Sequence, residues 1–262
     1  MNLLETILNH KRKEVDELKS LFPIKLLEKS IFFESRCVSM KAYVSDPARS
    51  GIIAEFKRKS PSKGDINKYA NAEEVTLGYM QAGASALSVL TDEHFFGARK
   101  DDLQVARKFN YCPILRKDFI IDEYQIIQSK SMGADAILLI AKILSPSLIR
   151  QFIDLAHELS MEVLLETHSE NEIAENAAAN SDLTGINNRN LDNLEMNIDK
   201  SVRLAGLLPN TTVKIAESGI DSVEIIRQLR QHGFDGFLIG EYFMRNSHPA
   251  EKCKELIKKL AS

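Results

Sequence analysis

Several short apolar runs in this sequence give way to a residue that can hold or move a proton. Glu55 and Lys57 close the run that starts at Ile52, and Lys117 follows Ile114–Arg116. Glu166 ends Glu162–Glu166, Asn187 and Arg189 end the run from Leu183, and Glu217 with Ser218 ends the run from Thr212. Read alone, any of these is a solvated loop charge. Gathered at one mouth they are a chemical device: apposed lysines and carboxylates in a partly dry pocket shift each other's pKa values, so that one serves as proton donor and another as acceptor near neutral pH.

What could gather them is a repeat. Gly83-Ala-Ser-Ala-Leu-Ser-Val-Leu90, Gly133-Ala-Asp-Ala-Ile-Leu-Leu-Ile140 and Gly233-Phe-Asp-Gly-Phe-Leu-Ile-Gly240 share one grammar: a glycine suited to a helix C-cap, then a continuously apolar run. Such runs suit parallel strands covered on both faces. Glycines at 83, 133 and 233 fit a unit of about 25 residues, and eight units need about 200 residues, the stretch from Gly51 to near Ala250. Strands are expected at Ile52–Glu55, Ala86–Leu90, Ile114–Arg116, Ala136–Ile140, Glu162–Glu166, Leu183–Asn187, Thr212–Glu217 and Gly236–Ile239. Helices are expected between them, as at Asp122–Met132, Ser145–Leu159 and Asp221–Gln231.

Strict alternation of strand and helix means a parallel sheet. An open doubly wound sheet would also satisfy it, but eight near-equal units without a switch point favour closure into a (β/α)8 TIM barrel, an α/β fold. One barrel domain over 1–262 is expected, with 49–262 as the barrel and 1–48 as an N-terminal helical extension. Leu3, Leu4, Ile7 and Val15 share an apolar stripe there. Two places are open to this helix: a plug under the barrel floor, or the rim of the active site.

In such barrels the site lies at the C-terminal ends of the strands, and phosphate binds in the loops after the last two. Ser218-Gly219-Ile220 and Ile239-Gly240-Glu241 occupy those loops, where glycine lets the backbone approach an anion closely. The basic loop Lys57-Arg58-Lys59-Ser60-Pro61-Ser62-Lys63-Gly64 offers further donors and a segment that can close over a ligand.

Composition limits the alternatives. Hydrophobic residues at 44%, charged residues at 27% and a formal charge of −3 describe an ordinary globular protein and argue against a nucleic-acid partner. No stretch approaches the roughly 18 apolar residues of a membrane span, and the N-terminus lacks the pattern of a secretory signal. A stand-alone cytoplasmic monomer without membrane or nucleic-acid partners is therefore expected. Cys37, Cys112 and Cys253 are too scattered for a metal site and read as reduced packing or surface thiols. The six histidines, His10, His94, His157, His168, His232 and His248, show no ligand spacing and read as surface or packing residues. With no GxGxxG or P-loop either, neither a metal nor a nucleotide cofactor is expected.

Six ordered motifs carry a resemblance over essentially the whole chain. They are Ile52-Ile-Ala-Glu-Phe-Lys-Arg-Lys-Ser-Pro-Ser62, Leu115-Arg-Lys-Asp-Phe-Ile-Ile-Asp122, Leu164-Leu-Glu-Thr-His168, Gly185-Ile-Asn-Asn-Arg-Asn-Leu191, Ile215-Ala-Glu-Ser-Gly-Ile220 and Phe237-Leu-Ile-Gly240. In these the chain resembles the indole-3-glycerol phosphate synthase family of tryptophan biosynthesis. The resemblance implies a carboxy-lyase that closes the ring of 1-(2-carboxyphenylamino)-1-deoxyribulose 5-phosphate with loss of carbon dioxide and water, and without a cofactor. It implies Lys117 as general acid on the ribulose carbonyl and Glu166 as its partner in the later dehydration. It also implies Lys57 and Arg189 at the substrate carboxylate and developing charge, with Glu55, Asn187 and Glu217 orienting lysines and sugar hydroxyls. Phe96 and Phe119 would wall the anthranilate ring, and Ser60, Ser218, Gly219, Leu238, Gly240 and Glu241 would form the substrate and phosphate contacts.

Two departures stand out. Some family members have serine at the place of Glu241, so this carboxylate must point away from a phosphate. Phe96-Gly-Ala-Arg-Lys100 replaces a more usual Gly-Gly-Ser pattern in the loop after the second strand, which puts that loop's contacts in question. Three rival readings remain: a phosphosugar isomerase, which would want a Cys/Asp pair; a Schiff-base aldolase using Lys117 or Lys57 as nucleophile; and a non-catalytic phosphate-ligand sensor on the same barrel.

Overall fold

A computed structural model describes residues 3–189 and 198–262. Eight parallel strands close into a barrel. They are β1 (Ile52–Phe56), β2 (Ala86–Leu90), β3 (Ile114–Lys117), β4 (Ala136–Ile140), β5 (Glu162–Thr167), β6 (Leu183–Asn187), β7 (Val213–Glu217) and β8 (Gly236–Ile239). Closure is direct: Ile53 of β1 stands beside Leu238 of β8 on one side and Ala86 of β2 on the other. Each expected strand is present, with ends moved by no more than a residue.

The helices begin where side chains can cap them. Asp122, Ser145 and Ser222 accept the backbone N–H of Tyr124, Leu148 and Ile225, so helices Glu123–Met132, Pro146–Glu158 and Val223–Gln231 start just inside their expected bounds. Gly133 ends the first of these with a left-handed φ of 88°, the conformation for which the repeat uses glycine.

Strand periodicity then sorts the side chains into two cores. Ile52, Ala54 and Phe56 of β1 pack outward against the helices, whereas Ile53 faces the barrel interior with Leu115, Leu164, Leu183, Ile215 and Leu238. Continuing the same parity by two residues brings Glu55, Lys117, Glu166, Gly185 and Glu217 to the top of that interior. Apolar residues fill the lower layers and titratable ones the last layer of one face.

The N-terminal segment takes both of the places open to it, with different helices. Helix Met40–Ser45 is the floor: Met40 and Val44 join the interior core, and a Cβ on Gly236 would collide with Val44. Ser39 donates to Glu162 Oε1 at 2.5 Å, and the N–H of Lys41 to its Oε2 at 2.8 Å, pinning the plug to the start of β5. The long helix Leu3–Leu21 lies at the opposite end. Its Lys11 is wholly buried, with Nζ 2.9 Å from Asp92 and 3.0 Å from Asp118, residues that follow β2 and β3. This places Leu3, Leu4 and Ile7 on the rim of the mouth.

Among the described residues no helix is long and apolar enough to cross a membrane, and the three cysteines are free thiols, two buried and one partly buried.

Candidate active site

The strand ends enclose a cavity of about 390 Å³, within the range of small-molecule sites. The residues expected to act on or contact the substrate line it: Glu55, Lys57, Ser60, Phe96, Lys117, Phe119, Glu166, Asn187, Arg189, Glu217, Ser218, Gly219, Leu238, Gly240 and Glu241. Asn190 and Leu191, the last residues of one motif, lie outside the described residues.

Lys117 is the hub. Its Nζ lies 3.0 Å from Glu166 Oε2 and 3.0 Å from Glu217 Oε2. Burial works against the ammonium, but the carboxyl groups of Glu166, Glu217 and Glu55, Glu166 foremost, outweigh it and hold the lysine protonated well above its usual range. Glu166 goes the other way: burial favours its neutral form, yet Lys117 and then His168 keep it well below the usual carboxylate range. Glu217 is pushed up to about 8, chiefly by burial and by Glu166's charge, against the pull of Lys117. Two carboxylates on one ammonium cannot both ionise cheaply, and the one without a second cation keeps its proton. A second pair stands across the mouth, where Lys57 Nζ donates to Glu55 Oε1 at 2.6 Å.

The sign of a pH effect follows. As pH rises through about 8, Glu217 ionises, places another full charge beside Lys117 and tightens the lysine's grip on its proton. Activity that uses this proton is expected to fall along an alkaline limb near that pH. Glu217→Gln, neutral throughout, is expected to lose the limb; a pH–rate profile of both forms checks it.

Two glycines make room for this chemistry: Gly240, expected only as a phosphate contact, and Gly185, expected only as part of a motif. A Cβ on Gly185 would collide with Glu217 Oε1, and one on Gly240 with Glu55 Oε1. Gly185 sits beside Glu166 in the β5–β6 register, so the missing side chain is what lets two carboxylates reach one lysine. Gly185→Ala is expected to leave the barrel folded and lower kcat about 10²-fold, the usual consequence of moving a reacting group by about 1 Å. Steady-state kinetics alongside circular dichroism would show it.

At the other side of the mouth, Ser218 and Gly219 both hold left-handed φ angles, 68° and 69°. For serine this is strained backbone, and Asn188 supports it by donating Nδ2–H to Ser218 O at 2.6 Å. Arg189 donates to Ser62 Oγ at 2.8 Å and lies 3.5 Å from Glu241 Oε2. The Glu241 carboxylate is thus turned to an arginine. Phe96 and Phe119 face each other with ring centres 6.1 Å apart, forming an apolar wall.

The basic loop needs correction. Lys57 and Lys63 line the cavity, but Arg58 does not. It is buried, forms a two-pronged pair with Asp102 and donates to Ala70 O, while Lys59 Nζ reaches His94 O. Arg58 also donates to Gly97 O, anchoring the atypical loop after β2. Among the described residues no three His, Cys, Asp or Glu side chains are grouped to hold a metal ion.

Known proteins share this arrangement of sequence. The family model for indole-3-glycerol phosphate synthase matches residues 4–256. The chain belongs to that family. It is 47% identical over 257 residues to the indole-3-glycerol phosphate synthase of Bacteroides thetaiotaomicron, covering 98% of each chain. It is 41% identical to that of Legionella pneumophila, again over 98% of each. Solved structures show the fold at greater distance. A 3-hexulose-6-phosphate synthase from Salmonella typhimurium matches with a TM-score of 0.63 at 12% identity, covering 80% of this chain and 98% of that one. A tryptophan synthase complex from Pyrococcus furiosus matches with 0.58 at 13% identity, covering 81% and 98%. Family membership makes the chain a carboxy-lyase of tryptophan biosynthesis.

Proposed function

We propose that the chain closes the indole ring of 1-(2-carboxyphenylamino)-1-deoxyribulose 5-phosphate by lysine and carboxylate proton transfer, with Lys117 as the acid. The observation that carries this is Lys117 held as an ammonium between Glu166 and Glu217. A lysine so held is an acid and a poor nucleophile, which favours proton transfer over a Schiff base.

In this reading the ring carbon bearing the carboxylate attacks the ribulose carbonyl carbon as Lys117 gives its proton to the carbonyl oxygen. Loss of carbon dioxide restores the aromatic ring. The new hydroxyl then leaves as water with a proton from Lys57, pushed out by the ring nitrogen, and ionised Glu166 takes the proton from the adjacent carbon. Transfer from Glu166 to Lys117 across their 3.0 Å contact resets the first acid, and a proton from solvent, the one the reaction consumes overall, resets Lys57. Arg189 meets the substrate carboxylate, Phe96 and Phe119 enclose the aromatic ring, and Leu238 packs below it. Ser60, Ser218, Gly219 and Gly240 bind the phosphate, with Glu241 turned to Arg189. Glu55 and Asn187 orient Lys57 and the sugar hydroxyls. Free thiols support a cytoplasmic enzyme.

Substrate labelled with ¹³C in its carboxyl group tests the reading. One labelled carbon dioxide released for each indole formed is the expected stoichiometry, unchanged by a chelator. An isomerised product that keeps the label would overturn it.

A further inference from the structure

His168 reaches the site from behind. It lies two residues beyond Glu166, its ring is buried, and it is not part of the cavity wall. Its Nε2 is 3.2 Å from Glu166 Oε1, the oxygen that Lys117 does not use, an ion-pair contact outside hydrogen-bonding angles. Its Nδ1 is 3.6 Å from Glu172 Oε2, and that same oxygen accepts the backbone N–H of His168 at 2.7 Å. Glu172 is fixed in turn by the start of helix Glu170–Glu175, where Ser169 accepts its backbone N–H. The imidazole is thus wedged between a cavity carboxylate from β5 and a structural carboxylate from the next helix. On the far side of Glu166, Lys117 of β3 holds its other oxygen, and Glu217 of β7 holds that lysine.

We propose that His168 is a positioning residue for the ring-closing reaction: as an imidazolium it fixes Oε1 of Glu166 and keeps that carboxylate ionised while Lys117 works at Oε2. This rests on the reading of Glu166 as the base. The need for a second cation comes from the reaction itself. When Lys117 hands its proton to the substrate it becomes neutral, and Glu166 loses the counter-charge on that side. Without another cation the buried carboxylate would bind a proton and be spent before the dehydration step. His168 supplies the charge from a place where it gives up nothing to the substrate. Burial opposes the charged ring, but the contacts with Glu166 and Glu172 prevail and raise it to about 9. The two carboxylates thus favour the ring that carries both protons.

His168→Ala and His168→Gln, each checked for folding by circular dichroism and thermal melting, separate this role from plain packing. In His168→Ala, kcat is expected to fall about ten-fold or more, as for a slightly misplaced reacting group, with KM little changed. Its acid limb should move up by about a unit or more, the scale on which one nearby charge shifts a carboxylate. His168→Gln can donate a hydrogen bond without a charge, so it should recover part of kcat yet keep the displaced limb. In the wild-type protein, ¹⁵N signals of the His168 imidazole should show both nitrogens protonated at pH 7. A neutral ring there, or a His168→Ala enzyme with the wild-type kcat and acid limb, overturns the inference. Absence of turnover in the wild-type protein would instead strike the proposed function, and the ¹⁵N titration would still decide whether His168 is an imidazolium against Glu166.

Discussion

Lys117→Ala is expected to lower kcat by about 10²–10⁴-fold, the usual worth of a positioned general acid, while the protein remains folded and still binds the phosphate end of its substrate. A general acid acts on the barrier more than on ground-state binding, so KM should move far less than kcat. The fold should survive because neither neighbouring carboxylate is left as an isolated charge: Glu217 already favours its protonated form, and Glu166 keeps His168 at 3.2 Å. Phosphate contacts should survive because Ser218, Gly219 and Gly240 lie on β7 and β8 loops, away from β3. Steady-state kinetics and titration with indole-3-glycerol phosphate would separate the two effects. Near-normal kcat would remove Lys117 from the role of acid.

Lys11→Met is expected to act through stability first. Lys11 is wholly buried, its charge is shared by Asp92, Asp118 and Glu14, and its ammonium is held well above its usual range because those carboxylates outweigh the cost of burial. Asp118, also buried, stays well below the usual carboxylate range because Lys11 and Arg116 overcome that burial. Removing one partner of a buried pair leaves the others uncompensated, at a cost of about 3–5 kcal/mol. Helix Leu3–Leu21 should loosen from the mouth, and because it carries Leu3, Leu4 and Ile7 of the cavity wall, KM should rise as well. Denaturant unfolding checks the stability and kinetics the wall. In the double variant Lys11→Met/Asp92→Asn, one stranded charge is gone, and part of the lost stability should return. A Lys11→Met protein as stable as the wild type would show that the helix is held by its apolar face alone.

The sequence made the barrel legible because its signals are local. A glycine cap and an apolar run identify each strand, and period-two alternation carries Leu164 to Glu166 or Ile215 to Glu217 without knowledge of the rest of the fold. The cavity residues were legible for the same reason, since a charge just past an apolar run sits at the mouth of any such barrel. What could not be read depends on partners far apart in the chain. Lys11 meets Asp92 and Asp118, so the choice between rim and floor for the first helix was undetermined until those contacts formed. Arg58 looked like one more donor in a basic loop because Asp102, which turns it inward, lies 44 positions away. His168 read as packing although it touches Glu166: the signal was its spacing of two from a strand-end carboxylate, which repeats the parity of the interior face. Gly185 was visible only as part of a motif, and its meaning lies in the volume that Glu217 takes on the neighbouring strand.

The central claim is that this cavity closes the indole ring with Lys117 as the acid. Purified protein mixed with 1-(2-carboxyphenylamino)-1-deoxyribulose 5-phosphate, without added metal, should produce a growing indole fluorescence that all but vanishes in Lys117→Ala. Fluorescence that does not grow while the wild-type protein binds the compound tightly would contradict the account and leave a phosphate-ligand sensor on the same barrel.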